Sequence, residues 1–245
     1  MQPSTNPRLI STLCVTLMAL CSAAAKAQTL LDHNRAMSGN ATPGDTPGYP
    51  ITLSQPGHYV LKSNLNVPDG LSGILIQTED VTLDLNGFTI KAGRSCSFNN
   101  SNYVVSCSAA GGLYGIDSSA SPNTTVRNGS IRGFSAGIFL GGGLIEGLAV
   151  RHNLTGIMAT NDFATRITGV LAEMNSKAGI YVDDLGLVDN VVAVRNTIGI
   201  DSYSGSLSTV RDSLATKNSI GIRAGTLRSN RAALNKSDLV DTSSY

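Results

Sequence analysis

The stretch Ile167-Thr168-Gly169-Val170-Leu171-Ala172-Glu173-Met174-Asn175-Ser176-Lys177-Ala178-Gly179-Ile180 is answered one period later by Val188-Asp189-Asn190-Val191-Val192-Ala193-Val194-Arg195-Asn196-Thr197-Ile198-Gly199-Ile200. Extending the match in both directions gives columns. Position zero is Val126, Ile145, Ile167, Val188, Val210 and Leu227. Position two is Asn128, Gly147, Gly169, Asn190, Asp212 and Ser229. Position five is Ile131, Val150, Ala172, Ala193, Ala215 and Ala232, and position eight is Phe134, Asn153, Asn175, Asn196, Asn218 and Asn235. Gly-Ile follows at Gly115, Gly137, Gly156, Gly179, Gly199 and Gly221, after an earlier copy at Gly73; the intervals are 42, 22, 19, 23, 20 and 22. A residue column that recurs in this way is the signature of a repeat architecture.

Each column has a physical reading. The aliphatic positions zero and five point inward. Their odd spacing requires a bend between them that resets the alternation of a strand. Position two supplies it, because Asn, Gly and Asp tolerate a left-handed backbone. The asparagines of position eight can satisfy one another's amides up a stack, with Phe134 capping the ladder. Gly-Ile opens the next strand, and the connection after it varies in length. Three short strands per turn of about 21 residues, stacked at about 4.8 Å, make a single-stranded right-handed parallel β-helix of about eight turns, an all-β solenoid. A sandwich does not repeat a column in register. Leucine-rich repeats, calcium-binding nonapeptides and six-residue left-handed helices have patterns this sequence lacks. The interval of 42 holds two turns or one turn with an insertion, and the cysteines inside it favour the insertion.

Composition agrees. Of 245 residues 26 are glycine, 14% are charged and 5% aromatic, and there is no tryptophan. Hydrophobic content of 41% is too high for a disordered chain, and a net charge of +1 gives no reason to expect nucleic acid as a partner. No glycine recurs every third residue as in collagen. Residues 1–27 read as a signal peptide: Arg8, an apolar run from Leu9 to Ala25, and the A-x-A site Ala25-Lys26-Ala27. The run is short of the roughly 20 apolar residues a span needs. Cys21 as a lipoprotein site is disfavoured by the large Leu20. The mature chain is expected to begin at Gln28, to be secreted or periplasmic, and to have no membrane span. It keeps 16 basic and 17 acidic residues and two cysteines, Cys96 and Cys107, which read as one disulfide clipping a loop near 94–112. Neither a metal site nor any other cofactor is expected, because His and further Cys are not near the pair and no Gly-rich segment opens a helix. Residues 28–50 are expected to be a lead or cap and residues 51–245 the β-helix domain. With no evident capping helix before Tyr245, the chain is expected to be truncated there or to cover that end in an oligomer.

The stretches Tyr49-Pro50-Ile51-Thr52-Leu53-Ser54-Gln55-Pro56-Gly57-His58-Tyr59-Val60-Leu61, Val81-Thr82-Leu83-Asp84-Leu85-Asn86-Gly87-Phe88-Thr89-Ile90 and Asn123-Thr124-Thr125-Val126-Arg127-Asn128-Gly129 resemble exported bacterial right-handed β-helix proteins of the pectin lyase-like superfamily. The resemblance covers about residues 45–240 and implies the fold. It does not imply an activity, since such proteins include lyases, hydrolases, epimerases and adhesins. Hydrolases resembling polygalacturonases carry a Gly-His-Gly and an Arg-x-Lys beside their carboxylates. This chain has Asp183-Asp184 but neither motif, and its histidines are His33, His58 and His152. No stretch matches the basic residue and calcium-binding acids of the lyases.

Alternation after Gly-Ile puts Asp117, Phe139, Met158, Tyr181, Asp201 and Arg223 in one outward column and Ser119, Gly141, Thr160, Asp183 and Tyr203 in the next. Tyr181, Asp183, Asp201, Tyr203 and Arg223 therefore form a candidate patch. Tyrosine faces stack on sugar rings, carboxylates and Arg bind hydroxyls or uronates, and two carboxylates about 5–7 Å apart can serve as acid and base. The plainer reading is a solvated face with Asp201 and Arg223 as a weak, exposed ion pair. Asp84 and Asn86 read as turn residues, and His152 as a surface or stacked histidine. Two classes follow: a non-catalytic exported protein that binds or scaffolds glycan, which the residues favour, or a polysaccharide lyase or hydrolase acting on acidic glycan.

Overall fold

A computed structural model describes residues 28–160, 163–183, 185–202 and 207–241. The segment read as a signal peptide, Asp184 and Tyr203 lie outside the described residues.

The described chain is a parallel β-solenoid of about eight turns whose strands stack rung on rung. Position zero lies on strands such as Thr165–Thr168, Gly186–Asp189 and Thr209–Arg211. Position five lies on strands such as Leu171–Glu173, Val192–Val194 and Leu214–Thr216. The Gly-Ile strands form a separate nine-stranded sheet that runs from Ile51–Leu53 to Ser237–Asp241. The repeat columns are its rungs: Ile167 pairs with Val188, Ala172 with Ala193, and Ile180 with Ile200.

Position zero from Val126 to Val210 and position five from Ile131 to Ala215 are fully buried. The bend between them is left-handed at every rung, with φ of 57° at Asn128, 61° at Gly147, 62° at Gly169, 51° at Asn190, 50° at Asp212 and 50° at Ser229. A second left-handed column had no signature in the sequence. It runs through Gly133, His152, Met174, Arg195, Lys217 and Leu234, one residue before the asparagines. Such a conformation costs a non-glycine residue about 1–2 kcal/mol.

The asparagine ladder offsets that cost. Asn196 Oδ1 accepts the backbone N–H and Nδ2 of Asn175, both at 2.9 Å. Asn196 Nδ2 donates to Ala172 O at 3.0 Å and to Asn218 Oδ1 at 3.2 Å. The pattern repeats from Asn153 to Asn235. It starts where the Phe134 N–H donates to Asn153 Oδ1 at 2.9 Å and ends where Asn235 Nδ2 donates to Asp238. The ladder also explains the glycine of Gly-Ile. A Cβ on Gly179 would stand 2.6 Å from Gly199 O and 3.0 Å from Asn196 Nδ2, so no side chain fits between the ladder and the next rung.

Ile74 pairs directly with Ile116, so the long interval is one turn with an insertion. The insertion is an antiparallel hairpin, Cys96–Asn99 with Val104–Cys107, closed by the Cys96–Cys107 disulfide. It lies along the ladder corner. The Cys96 N–H donates to His152 Nδ1 at 3.1 Å, and Ser219 Oγ donates to Tyr103 O at 2.8 Å, three rungs further on.

At the other end, Thr29–Leu31 pairs with Tyr59 to Leu61, and a short helix, His33–Ser38, follows with Asp32 as its N-cap. Asp45, buried, accepts the N–H groups of Ala41 at 2.9 Å and Thr52 at 2.7 Å, and Thr42 Oγ1 donates to Thr52 O at 2.7 Å. The edge strand Ile51–Leu53 thus has the backbone groups of Thr52 satisfied by side chains rather than left as an open edge.

Candidate functional site

Tyr181, Asp201 and Arg223 occupy three successive rungs on the outer side of the Gly-Ile sheet, in register with one another. Asp183 is next to them, and Tyr181 Oη donates to its Oδ1 at 3.3 Å. Tyr203, the fifth residue of the patch, lies outside the described residues.

One expectation needs correction. Asp201 is not part of an exposed, weak ion pair. Its side chain is only 8% exposed, against 38% for Arg223, and the two make a bidentate pair with Nε to Oδ1 and Nη2 to Oδ2 both at 2.7 Å. The planar guanidinium fits the carboxylate edge on, which makes this the strong form of the interaction. These hydrogen bonds, donated by Arg223 to Asp201, raise the pKa of Arg223 further above its already high value. Alternation correctly placed Asp201 on the outer side of the sheet, but it does not report how far neighbouring rungs cover an outward residue.

Tyr181 and Asp201 line a groove of about 460 Å³ together with Met158, Lys177, Ser176 and Thr197. Lys177 is exposed. Sequence reasoning missed Lys177, Ser176 and Thr197. Ser176 and Thr197 follow ladder asparagines directly and Lys177 comes one residue later, and a polar residue after every ladder asparagine but Asn153 was the available signal.

The other singled-out residues serve local structure. Asp84 Oδ1 accepts the Asn86 N–H at 2.8 Å, Asn86 has φ 49°, and Asp84 Oδ2 holds Arg127 Nε at 3.0 Å. The histidines are dispersed: His33 bonds Tyr49, His58 bonds Gln28, and His152 holds the hairpin root. Among the described residues no three His, Cys, Asp or Glu side chains converge as a metal site. No helix among them is long and apolar enough to cross a membrane.

A second charged cluster went unread in the sequence. On the outer side of the position-zero strands, Asp189 Oδ2 takes Arg166 at 3.0 Å and Arg211 at 3.3 Å. Burial opposes the Asp189 carboxylate, but hydrogen bonds from Arg166, Thr168 and Arg211, with the charge of Arg166, outweigh it and hold its pKa below the ordinary value. The position-zero column fixed only the inward residues, so these flanking charges had no column of their own.

Comparison with curated proteins and with solved structures returns no match. The family model for the right handed beta helix region matches residues 64–237, well over half of the chain and the span in which the ladder, both bends and the groove lie. The chain belongs to the right-handed β-helix family.

Proposed function

We propose that this is an exported, non-catalytic β-helix protein that holds a glycan on the outer side of its Gly-Ile sheet and acts as a binding or scaffolding element. The groove at Tyr181 carries the reading. There the Tyr181 ring and Met158 offer apolar surface for sugar rings, while Ser176, Thr197 and the Lys177 ammonium stand beside them for hydroxyls or uronate carboxylates. The rungs extend the surface along the solenoid axis, the direction in which a polymer would lie. The Asp201–Arg223 pair favours binding over hydrolysis. A general acid or base must reach the proton it moves, and both Asp201 oxygens are already engaged by the Arg223 guanidinium.

The test is retention of purified residues 28–245 on a panel of neutral and acidic polysaccharides. Tyr181→Ala and Lys177→Ala should each reduce retention on the matching polymer while leaving the unfolding temperature in place. Release of reducing ends or of unsaturated products from any polymer would replace the binding reading with the enzymatic one. Export has its own check, since the N-terminus of secreted material should be Gln28.

A further inference from the structure

On the outer side of the position-five strands, Lys91, Arg132 and Arg151 stand in register on three successive rungs. In-register side chains on neighbouring strands lie about 5 Å apart, and like charges so placed repel. Other neighbouring rungs set opposite charges together, as in Asp84–Arg127, Asp201–Arg223 and Glu173–Arg195, and where Arg211 stands in register with Arg228 it also pairs with Asp189. In this stack only the last rung meets an acid, Glu173, at 3.5 Å from Arg151 Nε, and Arg195 shares that carboxylate at 3.4 Å. Arg151 Nε–H is buried and makes no hydrogen bond. Among the described residues neither Lys91 nor Arg132 forms an ion pair.

The stack borders a pocket of about 280 Å³ lined by Thr89, Ser130, Ile131, Arg132, Arg151 and His152. All but Ile131 bring a side-chain donor. Thr89 Oγ1 and Ser130 Oγ lie 2.7 Å apart, so one hydroxyl donates to the other and the second O–H remains to donate elsewhere. His152 Nδ1 accepts the Cys96 N–H, so the neutral ring carries its proton on Nε2 and offers that as its donor. Two guanidinium groups, an imidazole N–H and a hydroxyl around one small polar pocket make a donor-rich lining with unbalanced positive charge.

We propose that this pocket binds a tetrahedral oxyanion, a phosphate or sulfate group, either free or as an ester on a polymer. Planar guanidiniums hydrogen-bond such oxygens in pairs, and Arg132 with Lys91 on the neighbouring rung supplies two cations that no internal acid among the described residues pairs, the charge of a doubly ionised group. The site is on a different sheet face from the Tyr181 groove and stands without it.

Calorimetric titration of the mature protein with inorganic phosphate and with sulfate at low ionic strength should show saturable binding that weakens as salt is added. Dextran sulfate compared with neutral dextran tests the ester form. Arg132→Gln, an exposed residue whose loss leaves no protein partner unpaired, should weaken binding about tenfold or more, as expected for a lost charge-assisted contact. Arg132→Gln with Lys91→Gln should weaken it further, and Arg228→Gln, an exposed arginine on the position-zero face, should not change it. Binding of the polymer alone, lost in Arg132→Gln, identifies the ester as ligand, and binding of the free anions alone identifies those. Absence of binding by phosphate, sulfate and dextran sulfate would overturn the proposal, as would binding that Arg132→Gln leaves at wild-type strength.

Discussion

Asn196→Ala probes the element on which every rung depends. Asn196 is fully buried at the centre of the ladder. Truncation removes the acceptor of the Asn175 backbone N–H and of Asn175 Nδ2, and the donor to Ala172 O and Asn218 Oδ1. Some groups keep a second partner: Asn175 Nδ2 still reaches Val150 O at 3.2 Å, and Asn218 Oδ1 still accepts the residue 196 N–H at 2.7 Å. The Asn175 N–H keeps none of those contacts. A buried orphan donor costs about 1–3 kcal/mol, and each of the three further lost bonds about 1 kcal/mol, so the sum is about 4–6 kcal/mol. At about 2–4 °C per kcal/mol for a chain of this size, the unfolding temperature should fall by roughly 15 °C. Asn235→Ala is the control. It makes the same contacts to Asn218 at the half-buried last rung, where water can replace them, and should cost only about 1–2 kcal/mol. Urea unfolding of both variants gives the comparison. Amide exchange should show the loss of protection first at residue 175, since a solenoid transmits stability between neighbouring rungs. If Asn196→Ala unfolds within about 0.5 kcal/mol of the parent protein, or no earlier than Asn235→Ala, the ladder does not hold the corner and the reasoning fails.

Three further outcomes follow from the same rungs. Ile200→Asp places a charge in a fully buried stack and should cost several kcal/mol, seen as loss of soluble folded protein; a normal unfolding curve would mean the register is wrong by one. Asp201→Ala removes the partner of a bidentate Arg223 that can still reach solvent, so urea unfolding should show a loss of about 1–2 kcal/mol, and a change under about 0.5 kcal/mol would restore the weak-pair reading. Asp189 has a folded pKa below its unfolded value of about 3.9, so its contribution is complete above that value and is lost as pH falls through the folded pKa. Asp189→Asn should therefore be destabilised at pH 7, with the gap to the parent protein closing as the pH falls below the unfolded value, and a gap that does not change with pH would contradict it.

The inward half of this protein was legible because packing constrains it. Val126 to Val210 and Ile131 to Ala215 recur as a column since only small aliphatic side chains fill the stack. Position two recurs since few residue types tolerate its backbone. The second bend was not legible, because His152, Met174, Arg195 and Lys217 have no common preference for a left-handed conformation. The asparagine that follows each of them enforces it. The landing of the hairpin was equally hidden, as Ser219 and Tyr103 meet across 116 residues with no periodic signal to announce it. Alternation gave the side of the sheet for Asp201, but its 8% exposure depends on how Arg223 from the next rung lies over it.

The same constraint separates structure from function along the chain. The ladder, the aliphatic columns and the glycines that clear space for them hold the fold from inside, and none needs a particular outward residue. An outward position is then free to vary, subject only to the electrostatics of its rung neighbours. Opposite charges in register satisfy each other and add stability without chemistry, which accounts for Asp84–Arg127 and Asp189 between Arg166 and Arg211. A column that departs from this pairing bears a cost the fold does not require. Lys91, Arg132 and Arg151 repel one another across three rungs, and among the described residues no acid relieves the first two. Met158, Tyr181 and Lys177 expose apolar and cationic surface around one groove. A ligand that lowers those costs would be bound in proportion, so these two outward clusters are where binding would be selected on a solenoid whose interior is already complete.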